Sequence, residues 1–301
     1  MKKKILYKIQ NDLLQILFYI LSYLEPKQSS FLIGKIFSFI GPFLPLNKIV
    51  RRNLEIAFPE CQKINTFSLE KRIWENLGRN FGELPHLKAI KPKIKIIGSS
   101  HLQAAKATHR PVIFVSAHFG NWEIMPSLLA REGLSFAPVF RAPNNPYLNQ
   151  FLIKIRQNLL QKNTPIFTKG AKDVRKILAH LKSGKHLGML IDQKMNDGIA
   201  LQFFQRKAMS SNATISLAMR AKALIVSGHM ERNSKGDLTL IVDPPIDLPQ
   251  SIHTEKQHEE IQKYSQFLNN RIEEWIKNTP SIWLWMHRRW DKSLYQSPQH
   301  Q

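Results

Sequence analysis

The chain has 301 residues, which is enough for one sizeable core with a small appended anchor, and its single cysteine, Cys61, excludes an intrachain disulfide. Its 44 Lys and Arg against 22 Asp and Glu give a formal net charge of +22, which favours an anionic partner: nucleic acid, acidic lipid or an acidic carrier protein. The basic residues form no tail and no zinc-finger, RNP or KH pattern is present, so nucleic-acid binding is disfavoured.

The first predicted element is a helix over residues 5–24, which follows three consecutive lysines. Its apolar residues recur at helical spacing, but polar residues interrupt it, so it falls short of the roughly 20 apolar residues of a confident spanning helix. We expect a membrane-seated helix that lies in the interface or spans the bilayer. An ordinary core helix is the alternative, and a secretory signal fits poorly because no small-residue cleavage site follows.

A second apolar stretch covers residues 31–46 and is broken by two glycines and two prolines, which favours a bent, shallow insertion over a straight spanning helix. Arg51 and Arg52 follow it and either contact phosphate headgroups or end a solvated helix. We therefore predict a membrane-associated segment over residues 1–46 and a single catalytic domain over residues 47–301, since no repeat or linker divides the rest of the chain.

Beyond a helix predicted over residues 66–87, strand-like and helix-like segments alternate. The strands are expected at residues 94–97, 112–116, 136–140, 165–167, 187–191, 223–226 and 238–242. The helices are expected at residues 102–107, 122–131, 146–161, 171–183, 213–221 and 255–276. This alternation predicts an α/β fold in which helices flank a mostly parallel sheet.

The most informative stretch is His-Phe-Gly-Asn-Trp-Glu at residues 118–123. The short apolar run before it is rich in β-branched residues and predicts a buried strand, with His118 at the carboxyl end where open α/β sheets bind ligands. Residues five apart on a helix are separated by about 140° around the axis. His118 and Glu123 therefore meet only if a turn joins the strand to the helix, and Gly120 supplies freedom for that turn.

A histidine paired with a carboxylate is suited to base catalysis. An imidazole, whose ordinary pKa is about 6.5, takes a proton from a hydroxyl, and a carboxylate on its other nitrogen fixes the tautomer. No G-x-S-x-G motif or nearby cysteine supplies a nucleophile, so His118 is expected to activate a hydroxyl of an acceptor substrate. The alternative is a solvent-facing pair with no special role.

Several motifs, in order along the chain, resemble those of the lipid A lauroyl/myristoyl acyltransferase family, the secondary acyltransferases of lipopolysaccharide synthesis. Residues 118–123 are similar to its H-x4-D/E motif. Further similar motifs lie at residues 51–54 (RRNL), 57–60 (AFPE), 74–79 (WENLGR), 139–141 (VFR), 192–193 (DQ) and 283–290 (WLWMHRRW). The chain departs from the family at residues 205–210, which lack the usual glycine, and this alters a loop that bears on acceptor or acyl-chain preference.

The resemblance implies an O-acyltransferase at the cytoplasmic face of a bacterial inner membrane, which moves a fatty acyl chain from acyl carrier protein to a hydroxyl of a lipid A precursor. His118 would be the general base, Glu123 its orienting carboxylate, and Arg141 the donor that steadies the oxyanion. The resemblance also assigns three residues to substrate binding: Asn121, Asp192 and Gln193. No metal or organic cofactor is expected, since the thioester carries the activation and no metal-ligand motif is present.

Alternatives stay open for several of these residues. Arg141 could form a strand-end salt bridge, Asp192 could be a turn aspartate, and the three tryptophans of residues 283–290 suit either a membrane interface or a packed cap over the cleft. A rival function is acyl transfer to another membrane glycolipid or aminolipid, because the histidine-carboxylate pair leaves the acceptor open. A remoter one is a non-enzymatic basic protein that binds anionic membrane or nucleic acid.

Overall fold

The computed structural model of the protein describes residues 2–60, 66–140, 142–168, 171–249 and 254–296. Two residues singled out above, Cys61 and Arg141, lie outside these ranges. The α-helices are α1 (Lys2–Ser22), α2 (Pro26–Ile40), α3 (Asn47–Ala57), α4 (Phe67–Glu83), α5 (Leu87–Ile90), α6 (Ser99–Ala107), α7 (Met125–Arg131), α8 (Pro146–Leu159), α9 (Ala171–Lys182), α10 (Ala213–Ala221) and α11 (Thr254–Asn278). The strands are β1 (Lys95–Ile97), β2 (Val112–Ser116), β3 (Phe136–Phe140), β4 (Phe167–Thr168), β5 (His186–Leu190), β6 (Ile199–Phe203), β7 (Arg206–Ser210), β8 (Leu224–Arg232) and β9 (Leu238–Val242).

In the described part of the chain, seven strands form the main sheet, in the order β1-β9-β8-β2-β5-β3-β4. All neighbouring pairs are parallel except β8 and β9, so the predicted mostly parallel sheet is confirmed. Strand β2 is central and all five of its residues are buried, because one apolar core covers each face of the sheet. Ile113 and Val115 pack into one core and Val112 and Phe114 into the other, as the alternation of side chains along a strand requires.

The sequence pattern did not predict the antiparallel hairpin of β6 and β7. Exposed Arg206 and Lys207 in β7 obscure the apolar alternation. The turn between the two strands is made by Phe204 and Gln205, which both have positive φ angles, 51° and 56°, where glycine would be the usual residue. The missing glycine noted in the sequence is therefore accommodated by a left-handed backbone at Gln205.

Helix α2 packs against α4 with direct contact between their backbones. A Cβ atom at Gly78 would lie 2.5 Å from the carbonyl oxygen of Ile33, and one at Gly82 would lie 2.4 Å from that of Ser29. Helix α1 lies against α8, where the ring of Phe18 meets that of Phe151 edge-on at 5.2 Å. The domain boundary predicted after residue 46 stays a prediction.

Within the described residues, no single helix has both the length and the apolar composition needed to cross a bilayer. One bent pair, Pro26–Phe43 with Asn47–Ala57, meets that criterion jointly, by length and composition alone, with an angle of 82° between its two parts.

Candidate active site

His118 and Asp192 follow neighbouring parallel strands of the sheet. His118 comes two residues after β2 and Asp192 two residues after β5, so both lie at the same carboxyl edge. The imidazole Nδ1 is 2.8 Å from Oδ1 of Asp192, and the backbone N–H of His118 donates to Oδ2 of the same carboxylate at 3.0 Å. The order of the strands thus produces the contact between the imidazole and this carboxylate.

The carboxylate of Asp192 is completely buried and accepts a further hydrogen bond, from the indole N–H of Trp283 at 2.8 Å. Burial by itself raises the pKa of Asp192, but attraction to His118 and the hydrogen bonds from it outweigh burial and hold that pKa well below its usual range. The carboxylate is therefore ionised, Nδ1 of His118 carries the proton that it donates, and Nε2 is left as the basic nitrogen.

The turn of residues 118–121, called the His118 turn below, is paired with a segment near the end of the chain. The backbone N–H of Gly120 donates to the carbonyl oxygen of Ile282 at 3.0 Å, and that of Leu284 donates to the carbonyl oxygen of His118 at 3.0 Å. Gly120 has a φ angle of +47°, and a Cβ atom there would lie 2.9 Å from that of Met230. Both the left-handed backbone and the close neighbour require glycine at this position.

Glu123 has a different partner from the one expected. Its carboxylate accepts two hydrogen bonds from Arg156 of α8, from Nε at 2.7 Å and from Nη2 at 2.6 Å. Burial lowers the pKa of Arg156, but the hydrogen bonds with Glu123 raise it above its ordinary value, so the guanidinium stays charged. The expected contact between Glu123 and His118 is replaced by one from Asp192, because the adjacent strand brings the Asp192 carboxylate to Nδ1. The catalytic role expected of Glu123 stays a prediction.

A cavity of about 680 Å³ opens beside these residues, and its walls include His118, Glu123, Arg156 and Gln193. The Nη1 atom of Arg156 is buried and has no hydrogen-bond partner among the described residues. Most of the remaining wall is apolar, and it includes Phe114, Leu129, Phe136, Leu159, Ile177 and Leu217. The cavity therefore combines an imidazole held by a buried carboxylate, a charged donor and space for a hydrocarbon chain.

The other predicted site residues are placed as follows. Gln193 lines the cavity, and its role in substrate binding stays a prediction. Asn121 does not line the cavity: its side chain is buried and donates to the carboxylate of Glu83 at 2.8 Å, and its assignment to substrate binding stays a prediction. Arg141 lies outside the described residues. No group of His, Cys, Asp and Glu side chains within the described part of the chain could hold a metal ion.

The tryptophan-rich segment near the carboxyl end is packed inside the protein. Trp283, Trp285 and Trp290 are each at most 1% exposed, which excludes the membrane-interface alternative for these side chains. His287, beside Trp283, has its pKa lowered to about 4 by burial and is therefore neutral near pH 7. Three pairings in the site were not predicted: His118 with Asp192, Arg156 with Glu123, and Trp283 with Asp192. Only the order of the strands and helices brings these side chains together.

The chain is similar to several proteins of known activity. The sequence profile of the family described as bacterial lipid A biosynthesis acyltransferase matches residues 3–292. The lipid A biosynthesis lauroyltransferase of Escherichia coli (strain K12) is 23% identical over 251 residues, which cover 80% of this chain and 78% of that protein. The lipid A biosynthesis palmitoleoyltransferase of the same strain is 24% identical over 286 residues, which cover 88% of this chain and 87% of that protein. Among solved structures, the 1-acyl-sn-glycerophosphate acyltransferase of Thermotoga maritima aligns with a TM-score of 0.36 and 15% identity, over 90% of this chain and 98% of that one.

Proposed function

The chain belongs to the bacterial lipid A biosynthesis acyltransferase family, and from this premise we propose that it transfers a fatty acyl chain from acyl carrier protein to a hydroxyl of a lipid A precursor. The observation that carries the proposal is the hydrogen bond between His118 and Asp192 at a large, mostly apolar cavity. A base of this kind activates a hydroxyl supplied by a substrate. The names of the two E. coli relatives support a fatty acyl donor and lipid A as the product.

The reaction requires one base and no covalent enzyme intermediate. Nε2 of His118 takes the proton of the acceptor hydroxyl as its oxygen attacks the carbonyl carbon of the thioester. The charge that develops on the imidazole is balanced by the ionised carboxylate of Asp192. When the tetrahedral intermediate collapses, the carbon–sulfur bond breaks and the departing thiolate takes the proton back from Nε2, so the enzyme returns to its starting state.

Two arginines are proposed to stabilise negative charge on the substrates. Arg156 is held by Glu123, and its buried, unpartnered Nη1 is a donor that gains a hydrogen bond when a substrate oxygen enters the cavity. In this proposal Glu123 contributes by fixing Arg156. Arg141 keeps the role that the resemblance gives it, as a donor to the oxyanion of the tetrahedral intermediate.

The amino-terminal helices support attachment to the inner membrane. Among the described residues, 17 of the 21 exposed large hydrophobic side chains lie between positions 5 and 46, in α1, α2 and the turns after them. Helix α1 packs on α8, and α8 also contributes Arg156 to the cavity wall, so the apolar surface and the cavity are close together. An acyl carrier protein donor places the catalytic domain on the cytoplasmic face, and the net charge of +22 suits both an acidic carrier and a phosphorylated lipid.

Acyl transfer by the purified protein in detergent tests the chemistry. The donors are acyl carrier protein thioesters of several chain lengths, and the acceptor is a tetra-acylated lipid A precursor. Wild type should transfer, and His118→Ala should lose at least about a hundredfold in kcat. Equal activity in His118→Ala would rule out the base. An inert wild type with every donor would remove lipid A as the acceptor, and other membrane glycolipids or aminolipids would then be tried.

Vesicle flotation tests the membrane part separately. The protein should float with phosphatidylglycerol vesicles, and replacement of Ile9 and Leu13, both exposed on α1, by glutamate should reduce the bound fraction several-fold. Replacement of Ile97 and Val174, which are exposed outside the amino-terminal helices, is the matched control and should not change flotation. Equal flotation of the two double variants would overturn the assignment of this surface.

A further inference from the structure

We propose that the buried ion pair of Glu83 and Arg232 positions the His118 turn and thereby sets the rate of the chemical step without touching substrate. The inference rests on the proposed function, since the turn carries the base of that reaction. Glu83 is the last residue of α4 and Arg232 the last residue of β8, and they lie 149 positions apart in the chain. Their side chains are 5% and 4% exposed.

Both charges are surrounded by hydrogen-bond partners. Arg232 donates to Glu83 from Nη1 and Nη2, to Asn76 Oδ1 from Nε at 3.0 Å, and to Asn80 Oδ1 from Nη2 at 2.9 Å. Glu83 also accepts from the hydroxyl of Ser30 in α2 at 2.8 Å. A buried arginine with this many acceptors is confined to one orientation, since any other would leave charged donors unpaired.

Two side chains connect this pair to the His118 turn. Asn121, within the turn, donates to Oε2 of Glu83 at 2.8 Å. Asn80, which accepts from Arg232, donates through its own Nδ2 to the carbonyl oxygen of Gly120. The ion pair therefore fixes two consecutive residues of the turn from one side, while residues 282 and 284 hold its backbone on the other.

Stability alone does not explain why these charges are buried here. Replacing a buried ion pair by apolar side chains is often neutral or stabilising, because desolvation of the charges offsets their attraction. None of Glu83, Arg232, Asn76, Asn80 and Asn121 lines the 680 Å³ cavity. Their hydrogen bonds instead converge on a turn whose glycine is already in a left-handed conformation, so their function is to define where His118 is placed.

The experiment compares Glu83→Gln with Glu75→Gln. Glu75 lies on the same helix and is also paired with an arginine, Arg79, but it makes no hydrogen bond to the turn. We expect Glu83→Gln to lower kcat about 10- to 100-fold, because small misplacements of a catalytic group are costly. The KM for acyl carrier protein thioester should stay within about twofold, and both variants should remain folded at the assay temperature.

A rescue variant separates positioning from loss of stability. Glu83→Gln combined with Asn121→Asp exchanges the amide and the carboxylate, so that residue 83 donates and residue 121 accepts, with the total charge unchanged. The double variant should recover part of the lost kcat, because the hydrogen bond between residues 83 and 121 is restored while Nη2 of Arg232 loses its acceptor on residue 83. If Glu83→Gln is folded and turns over as fast as Glu75→Gln, or if the exchange recovers nothing, the proposal is overturned.

The imidazole can also be observed without turnover. In protein labelled with ¹⁵N-histidine, Glu83→Gln should shift the resonances of His118, identified by their loss in His118→Ala, while Glu75→Gln should leave them in place. This result does not depend on the substrate: an inert wild type would refute the proposed function, whereas unshifted His118 resonances would refute the positioning role.

Discussion

Asp192 and Glu123 belong to the same site but have different surroundings. Asp192 is fully buried and accepts three hydrogen bonds, two from His118 and one from Trp283, whereas Glu123 is 16% exposed and accepts two from Arg156. The carboxylate five residues from the histidine fixes a donor in the cavity wall, and the carboxylate 74 residues away fixes the imidazole. Proximity in sequence therefore does not identify the carboxylate that contacts a histidine at the edge of a parallel sheet.

The largest expected effect is that of Asp192→Asn. An amide at this position cannot balance an imidazolium and competes for the tautomer of His118, so kcat should fall by about 10²- to 10⁴-fold. Steady-state acyl transfer measures the loss, and circular dichroism confirms that the variant is folded. A loss below tenfold would remove Asp192 from its orienting role.

Glu123→Gln should have a smaller effect, which acts through Arg156 and not through His118. It loosens Arg156, and the loss of charged hydrogen bonds, about 1.5–3 kcal/mol, should reduce kcat/KM by roughly 10- to 100-fold. Combined with Arg156→Lys the loss should be clearly less than the product of the single losses, because both changes break one pair. If Glu123→Gln is as damaging as Asp192→Asn and the effects with Arg156→Lys multiply, Glu123 acts directly on the base.

The acid limb of the pH profile distinguishes the two groups of the pair. The pKa of Asp192 lies well below its usual range. Its carboxylate therefore stays charged, and its contribution to the stability of the fold is kept, until the pH falls below the pKa of an ordinary carboxyl group. Above about pH 4, the ordinary carboxyl range, the uptake of a single proton should therefore account for the loss of kcat/KM. In that range log(kcat/KM) should fall with a slope of one. A slope of two in that range would mean that Asp192 takes up a proton there.

The smallest effect concerns buried histidines in the same core. Burial lowers the pKa of His287, beside Asp192, and that of His229, stacked on Trp275, to about 4. Between about pH 6.5, the ordinary pKa of histidine, and pH 4, the unfolded chain binds protons that the folded chain does not. The free energy of unfolding should therefore fall with falling pH by about 1.4 kcal/mol per pH unit for each group. His229→Phe should lower the measured slope by the share of one group in chemical denaturation; an unchanged slope would contradict it.

The fold was largely predictable because its central strands are short, apolar and separated by clear helical segments. The prediction for residues 112–116 matches β2 in both bounds, and His118 follows at the predicted edge. The β6–β7 hairpin was missed because its turn uses Phe204 and Gln205 in conformations that favour glycine. Residue patterns gave no sign of it.

The sequence predicted which residues belong to the candidate site better than it predicted which of them are in contact. His118, Glu123, Asp192 and Gln193 all lie in or beside it, but the pairing of His118 with Asp192 depends on β5 lying next to β2, and the order of strands is not encoded in local patterns. The same limitation applies to Glu83 and Arg232. Their partnership across 149 positions follows only from packing α4 against the end of β8.

The pairing of the His118 turn with residues 282 and 284 has a consequence for biogenesis. At a translation rate of about 5–20 residues per second, roughly 8–33 s pass between synthesis of His118 and of Ile282. The apolar amino-terminal helices leave the ribosome before either. In the nascent chain, Gly120 therefore lacks its backbone partner, and Asp192 lacks the indole of Trp283, until residues 282 and 283 have been synthesised.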